Sequence, residues 1–440
     1  MSVDGLKNRV RAIHHRIRNR YRYHRHETRS DGVEIETPRN VLIVTVDCLR
    51  NDRLSRPGHE RETTPFLDQM SGYTPAITAA PWTFSAVPSI LTGLYPHKHG
   101  AVYPNNDVRH EGMEAPPHGV SSDVATLADL LATSGYETRL VTAIGTAELP
   151  VEGRFKTAIR KHLQPAEDVL EAAKSWWNRT EGPKFGYVQL GDLHAKLQNP
   201  RAEHFGEIPD IEGVRGWRFQ QSTEPKAEFR RFRDARGLLY DTVLRDVDGA
   251  IASFLDAIDE REETVIFVTS DHGEEFWEFA SFERENFDDP RGIAGIGHGH
   301  ALVPPVLEVP ILSDTITFAE SKGMASTTDI VPTILRELDA TVETDFDGVP
   351  LQDGTTRPVL AEEVAYGSNQ LSVTHEGDHL IHVPARDRSF LLDYESGSRR
   401  EDVDRQSALT DLLPDSRAVG SSVSLTEGTR RQLSDLGYTE

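Results

Sequence analysis

The sequence predicts an α/β fold: a central, mostly parallel sheet flanked by helices, with a small antiparallel subdomain towards its C-terminal end. Three observations point there. Continuous apolar, β-branched runs alternate with stretches of helical periodicity, the pattern of strands joined by crossover helices. Three of those runs end in Asp or His, and parallel sheets gather ligands at the carboxyl ends of their strands. Beyond residue 341 the runs become short and alternating, as in an antiparallel sheet with one wet face.

Residues 1–32 form a separate basic arm. Met1–Ser30 carries nine Lys/Arg and four His, and Leu6, Val10, Ile13, Ile17 and Tyr21 recur at helical spacing as one apolar stripe. Such a helix suits three roles: peripheral contact with an anionic membrane, docking on the chain's own acidic body, or a solvated arm. Ser30-Asp31-Gly32 breaks it. The main α/β unit is expected over residues 38–340. Val41–Val46 reads as a buried parallel strand ending in Asp47, Lys184–Leu190 as a second leading to Asp192 and His194, and Thr264–Ser270 as a third ending in Asp271-His272-Gly273. Helical patterns lie between them over Asp123–Ser134 and Leu239–Asp259, and Asp329–Leu338 reads as another helix. In the subdomain, residues 341–440, the runs Leu371–Thr374, His379–Val383 and Phe390–Tyr394 predict strands, and a terminal helix is expected near Thr426–Leu436.

Composition narrows the function classes. The chain of 440 residues has 71 acidic against 48 basic residues, a formal charge of −23, and only 9 of the basic residues are Lys. That balance argues against general nucleic-acid binding, which rests on Lys and Arg neutralising phosphates. An acidic, Lys-poor surface suits a halophilic source, where high salt screens charge; an ordinary acidic enzyme is the alternative. Cys48 is the single cysteine, so no internal disulfide forms. No apolar run approaches the roughly 18–20 residues that span a bilayer, and the N-terminus lacks the apolar core of a signal peptide. A cytoplasmic location is the expectation, with the arm allowing peripheral contact with the membrane's inner face.

Carboxylates clustered at strand ends repel and raise one another's pKa unless a cation joins them. Asp47, Asp271 and His272, delivered by separate apolar strands, therefore read as a site for a hard divalent cation, oxygen ligands with one imidazole. Taken singly, Asp47 reads equally as a strand-end cap and Asp271–Glu275 as a polar turn.

A third element completes the pattern: Ala80-Pro81-Trp82-Thr83-Phe84-Ser85, running on to Leu91-Thr92-Gly93 and then Tyr95-Pro96-His97-Lys98-His99-Gly100. This resembles the signature of the sulfatases within the alkaline-phosphatase superfamily, where a nucleophile opens a helix. The likeness continues through Val46-Asp47 with Leu49–Asp52, Thr63–Leu67, Asp192-Leu193-His194, Ser270–Gly273, Gly297-His298-Gly299, Asp329–Thr333 and Asp347-Gly348. It implies the alkaline-phosphatase/sulfatase sandwich, and a metal-dependent enzyme that cleaves a small anionic phosphate or sulfate ester. It also implies one divalent cation (Ca²⁺, Mg²⁺ or Mn²⁺) held by Asp47, Thr83, Asp271 and His272. Thr83 would be the nucleophile, and His194 and His298 would meet the substrate anion and serve the chemistry. His300 is the alternative substrate-side partner. His97 and His99 are expected to brace the loop after the helix.

Several departures shape the expectation. Sulfatases place Cys or Ser where Thr83 stands and convert it to an aldehyde; oxidised Thr would give a ketone. The family's phosphodiesterases and phosphoglycerol transferases do use Thr there. An arginine of the sulfatase pattern is Val87 here, the family's frequent second Asp is Cys48, and Pro88 predicts a helix that starts late or kinks. Cleavage of a phosphodiester or phosphonate through Thr83 is the leading expectation. The alternatives are transfer of a phospho-headgroup to a glycan or lipid, true sulfuric ester hydrolysis, and a catalytically degenerate binding module.

Overall fold

The computed structural model describes residues 18–24, 33–103, 117–216, 227–423, 425, 427 and 430–431. Eight strands form the main sheet: β1 (Asn40–Val46), β2 (Gly72–Ile77), β3 (Glu137–Thr142), β4 (Thr157–Arg160), β5 (Lys184–Leu190), β6 (Thr264–Thr269), β7 (Glu308–Ser313) and β8 (Ala325–Ser326). Their order is β8-β2-β7-β6-β1-β5-β3-β4. β1 pairs in parallel with both β5 and β6, and only β7 runs antiparallel to its neighbours. Every residue of β1, β5 and β6 is buried, which is why these segments read as unbroken apolar runs rather than as alternation.

The helices follow. They are α1 (Thr83–Thr92), α2 (Leu127–Thr133), α3 (Ala166–Trp177), α4 (Ala227–Ala257), α5 (Ala280–Asn286), α6 (Ile330–Glu337) and α7 (Val403–Thr410). α2 starts later than its predicted Asp123 because Thr126 and Asp129 form a reciprocal capping box there. α4 is longer than predicted, since Phe229, Phe232 and Arg236 extend its buried stripe upstream of Leu239. α1 is wholly buried and packs against α6. It begins at Thr83 and runs through Pro88, so of the two outcomes expected from that proline, a late start or a kink, the late start does not occur. Gly93, with φ 68°, ends it in the left-handed conformation.

The second sheet is β9 (Val359–Glu362), β10 (Leu371–His375), β11 (Asp378–Val383) and β12 (Arg388–Asp393), antiparallel throughout, with α7 against β11 and β12. The helix expected over Thr426–Leu436 lies almost wholly outside the described residues, as do Leu6, Val10, Ile13 and Ile17 of the arm. Residues 18–24 are helical and lie on the chain's own body: Arg18 and Arg22 pair with Glu152, and Asn19 Nδ2 donates to Phe155 O at 3.3 Å. Tyr21 is exposed. No helix among the described residues is long and apolar enough to cross a membrane.

Phe267 sits fully buried at the centre of β6 against Phe318, with ring centroids 6.2 Å apart. Phe267→Ala is expected to cost about 3–5 kcal/mol of stability, read as a lower urea midpoint with an unchanged slope.

Candidate active site

Because β1 and β6 are adjacent and parallel, the residues after their last paired positions arrive together. Asp47 follows β1; Asp271 and His272 follow β6. Thr83 is brought to them as the first residue of α1. The cap position belongs to Trp82, which is extended and makes no side-chain cap bond. The Thr83 hydroxyl instead donates to Asp47 Oδ2 at 3.4 Å and lies 3.2 Å from His272 Nε2. His272 Nε2 is 3.7 Å from Asp47 Oδ1 and 3.6 Å from Asp271 Oδ2. All four side chains have 0% exposure.

Burial, reinforced by Asp271, pushes the Asp47 carboxyl up to about 7. His272 Nδ1 is 2.9 Å from Gly273 O, and a carbonyl only accepts, so Nδ1 carries a proton there. In the neutral ring Nε2 then turns a lone pair towards two carboxylates, an arrangement that a shared cation relieves. One donor atom from each of Asp47, Asp271 and His272 lies within 4.8 Å of the others. Two carboxylates and one imidazole, dry and converging, fit a divalent cation. Gly273 has a steric reason to be glycine: a Cβ there would stand 2.2 Å from Pro305 O.

Around this centre are groups that the sequence reading did not single out. Gln189, on β5, donates from Nε2 to Asp271 Oδ2 at 3.0 Å, while Tyr187 OH donates to Gln189 Oε1 at 2.9 Å. Glu274 accepts from His298 Nδ1 at 2.8 Å, and Arg236 Nη2 is 3.8 Å from its other oxygen. Although burial opposes it, the bond from His298, with Arg236 nearby, holds Glu274 down at about 2. The signal was present in Asp271–Glu275, but nothing in the sequence tells which of adjacent Glu274 and Glu275 faces which histidine.

His194 and His298 come together, with ring centroids 5.0 Å apart, and His298 lies 4.2 Å from the His272 ring. Burial lowers both, and His298 beside His272 falls to about 3, so both rings are neutral at pH 7. His300 is not drawn to this pair. Its Nε2 lies 3.0 Å from Glu283 Oε2, away from the substrate-side role considered for it. Cys48 is buried with φ 63°; its thiol, pushed up by burial and Asp47, donates to Asp47 Oδ1 at 3.0 Å. Sγ also lies 3.6 Å from His298 Nδ1 and 4.0 Å from His272 Nδ1. Val87 is fully buried in the apolar core. His99 does brace the loop: Ala101 N donates to its Nδ1 at 3.0 Å, leaving Nε2–H for Ser89 Oγ at 3.0 Å. His97 pairs with Glu362.

A model of the sulfatase family matches residues 39–340. The chain belongs to the sulfatase family. With membership comes the enzyme class, a hydrolase. Solved structures share the fold. BT1596, a 2-O GAG sulfatase, is 15% identical, with 86% of this chain and 90% of that one covered at a TM-score of 0.61. The phosphonate monoester hydrolase of Agrobacterium radiobacter is 16% identical, with 85% and 94% covered and a TM-score of 0.60. The C-terminal periplasmic domain of EcEptC from Escherichia coli, solved with Zn, is 18% identical, with 75% and 92% covered and a TM-score of 0.52. At such identities the likeness speaks for the fold.

In this sulfatase-family site the Tyr187–Gln189–Asp271 relay fixes one carboxylate oxygen. Gln189→Ala is expected to weaken divalent-cation binding by about 10–100-fold, measured by titration calorimetry with Mn²⁺; unchanged affinity would remove the relay from the metal centre.

Proposed function

We propose that this enzyme cleaves a phosphoester, a diester or a phosphonate monoester, with Thr83 as nucleophile. The observation that carries the reading is the Thr83 hydroxyl. It is buried, opens α1, and is directed at Asp47 and His272 rather than at a helix N–H. A threonine has no route to the aldehyde of the sulfatase mechanism, whereas its alkoxide can attack phosphorus and leave again. The fold it shares with a phosphonate monoester hydrolase is consistent with that choice.

Asp47, Asp271 and His272, with the Thr83 hydroxyl, would hold the divalent cation, which supplies Lewis-acid activation of the hydroxyl and of a non-bridging phosphoryl oxygen. The positive end of α1 favours the same alkoxide. Thr83 Oγ1 bonds to phosphorus as the bond to the leaving oxygen breaks, and the hydroxyl proton passes towards Asp47 Oδ2. His194 and His298 line the anion, and the proton released by Thr83 is passed on from Asp47 to the departing alcohol. Water then attacks phosphorus, the Thr83 O–P bond breaks, and Thr83 regains its proton. With Val87 apolar and Arg236 drawn to Glu274, a singly charged anion suits the site better than a dianion.

A second reading puts an alcohol of a glycan or lipid in place of water, making the enzyme a phospho-headgroup transferase. The basic stretch Met1–Ser30 favours it, because a cationic arm would hold the enzyme at the cytoplasmic face of an anionic membrane.

On a chromogenic aryl phosphodiester, Thr83→Ala is expected to lose about 10³-fold or more in kcat with its circular dichroism unchanged. Full activity in the variant would sink the nucleophile. The wild type should turn over the aryl phosphodiester faster than the matching aryl sulfate without added alcohol. Faster sulfate turnover, or turnover only with an alcohol, would select the other readings.

A further inference from the structure

We propose that Glu275, Glu283 and His300 form a second cation site, structural rather than catalytic, suited to Zn²⁺. The inference stands apart from the chemistry assigned to Thr83. The three side chains come from different pieces of chain: Glu275 from the short strand Glu275–Phe276, Glu283 from α5, and His300 from just beyond the strand Ile296–Gly297. Their exposures are 0%, 2% and 4%. One donor atom from each lies within 4.8 Å of the other two.

Half of this cluster is already satisfied by the chain. Phe279 N donates to Glu275 Oε1 at 2.6 Å, and Gly295 N donates to Glu283 Oε2 at 2.5 Å. The other half is not: Glu275 Oε2 and Glu283 Oε1 are buried and, apart from the two carboxyl groups meeting each other, find no donor among the described residues. Two buried carboxylates with open oxygens need positive charge, because desolvation and mutual repulsion both disfavour the bare anions. Two protons, one between the carboxylates and one on His300, would neutralise the cluster. So would one divalent cation with a neutral imidazole.

The geometry favours the cation. His300 Nδ1 lies 3.2 Å from His298 O, so its proton goes to that carbonyl and Nε2 faces the carboxylates. A backbone carbonyl on the far nitrogen is the usual support of a metal-ligating histidine. His300 Nε2 is 3.0 Å from Glu283 Oε2 and 3.8 Å from Glu275 Oε2. Those separations bracket the about 3.3–3.5 Å between donors of a tetrahedral zinc site with bonds near 2.0–2.2 Å. Carboxylates pre-oriented by backbone N–H groups, together with one imidazole, suit zinc better than calcium, which takes six to eight oxygens.

The site would also serve the first one mechanically. Gly297 is paired with Glu275 across the two short strands. Glu274 and His298, which bond to each other, are the close chain neighbours of Glu275 and His300. A cation here closes the excursion between residues 275 and 300, which little regular structure supports, and so fixes the backbone that carries His298.

The test uses the full chain, stripped with chelator, dialysed against Zn²⁺ and analysed for zinc per chain. Asp271→Asn disables the first centre; it should retain a zinc equivalent that Asp271→Asn with Glu283→Gln loses. Zn²⁺ should raise the melting temperature of the single variant and not of the double. Equal zinc in the two variants would overturn the proposal. Should a variant fail to fold, wild-type crystals grown with Zn²⁺ decide: an anomalous peak within bonding distance of Glu275, Glu283 and His300 supports the site, and its absence there overturns it.

Discussion

Asp47 and Asp271 share one dry volume because β1 and β6 are neighbours in a parallel sheet and both strands stop at the same level. At an effective dielectric near 20, two charges 4 Å apart repel by about 4 kcal/mol, and full burial removes water as a remedy. The surrounding groups answer that constraint. Gln189 donates to Asp271, the Cys48 thiol and the Thr83 hydroxyl donate to Asp47, and His272 stands between the two acids. Each donor reduces the repulsion; none supplies the positive charge that the cluster calls for.

Much of the motif that marks the family serves to place α1 rather than to react. Gly93 ends the helix in a left-handed turn, and its carbonyl accepts from Asp347 N. His99 ties the following loop back to Ser89, His97 reaches Glu362, and Asp347 Oδ2 accepts from Tyr95 N. Asp329 caps its own turn through Ser326 N, accepts from Val349 N and pairs with Arg357. Asp192, read as part of a site motif, accepts from Ala166 N at the start of α3. Apart from Asp192, which serves α3, these polar groups hold the first residue of a buried helix within hydrogen-bonding reach of the strand ends.

This division explains what was legible in the sequence. β1, β5 and β6 were readable because strands buried on both faces leave continuous apolar runs. β2 and β7 were not, since each carries a proline, and a proline argues against a central strand. In the structure Pro75 and Pro310 lie opposite each other in the pairing of β2 with β7. Arg139 and Thr138 likewise masked β3, an inner strand with an intermediate-exposed position. Pro88 predicts a helix that starts late or kinks; α1 starts at Thr83 and carries Pro88 in mid-helix, with Thr92 Oγ1 donating to its carbonyl at 2.8 Å. In the site, Asp47, Asp271 and His272 converge because the parallel pairing of β1 and β6 ends at one level. The pairings of Glu274 and His300 were not legible, because their partners lie 24 and 17 residues away along an irregular stretch of chain.

Two departures from the family's pattern acquire a joint meaning once charge is counted. Where the pattern has a second aspartate, Cys48 keeps a protonated thiol against Asp47, which removes one negative charge beside the metal centre. Where it has an arginine, Val87 is packed in apolar core, which removes one positive charge. Each change alone would shift the field at Thr83 by a full unit in a low-dielectric site, strengthening or weakening the hold on an anion many-fold. Together they leave the net charge where it was while moving it: the pocket loses a fixed clamp for a doubly charged group and a carboxylate that would repel it. Asp47 and Asp271 would then balance one divalent cation, and the attraction left for substrate would come from the N-terminus of α1. Such a field would suit a singly charged group, and the choice among those would fall to whether Thr83 can attack the group and leave again, a property on which phosphorus and sulfur esters part.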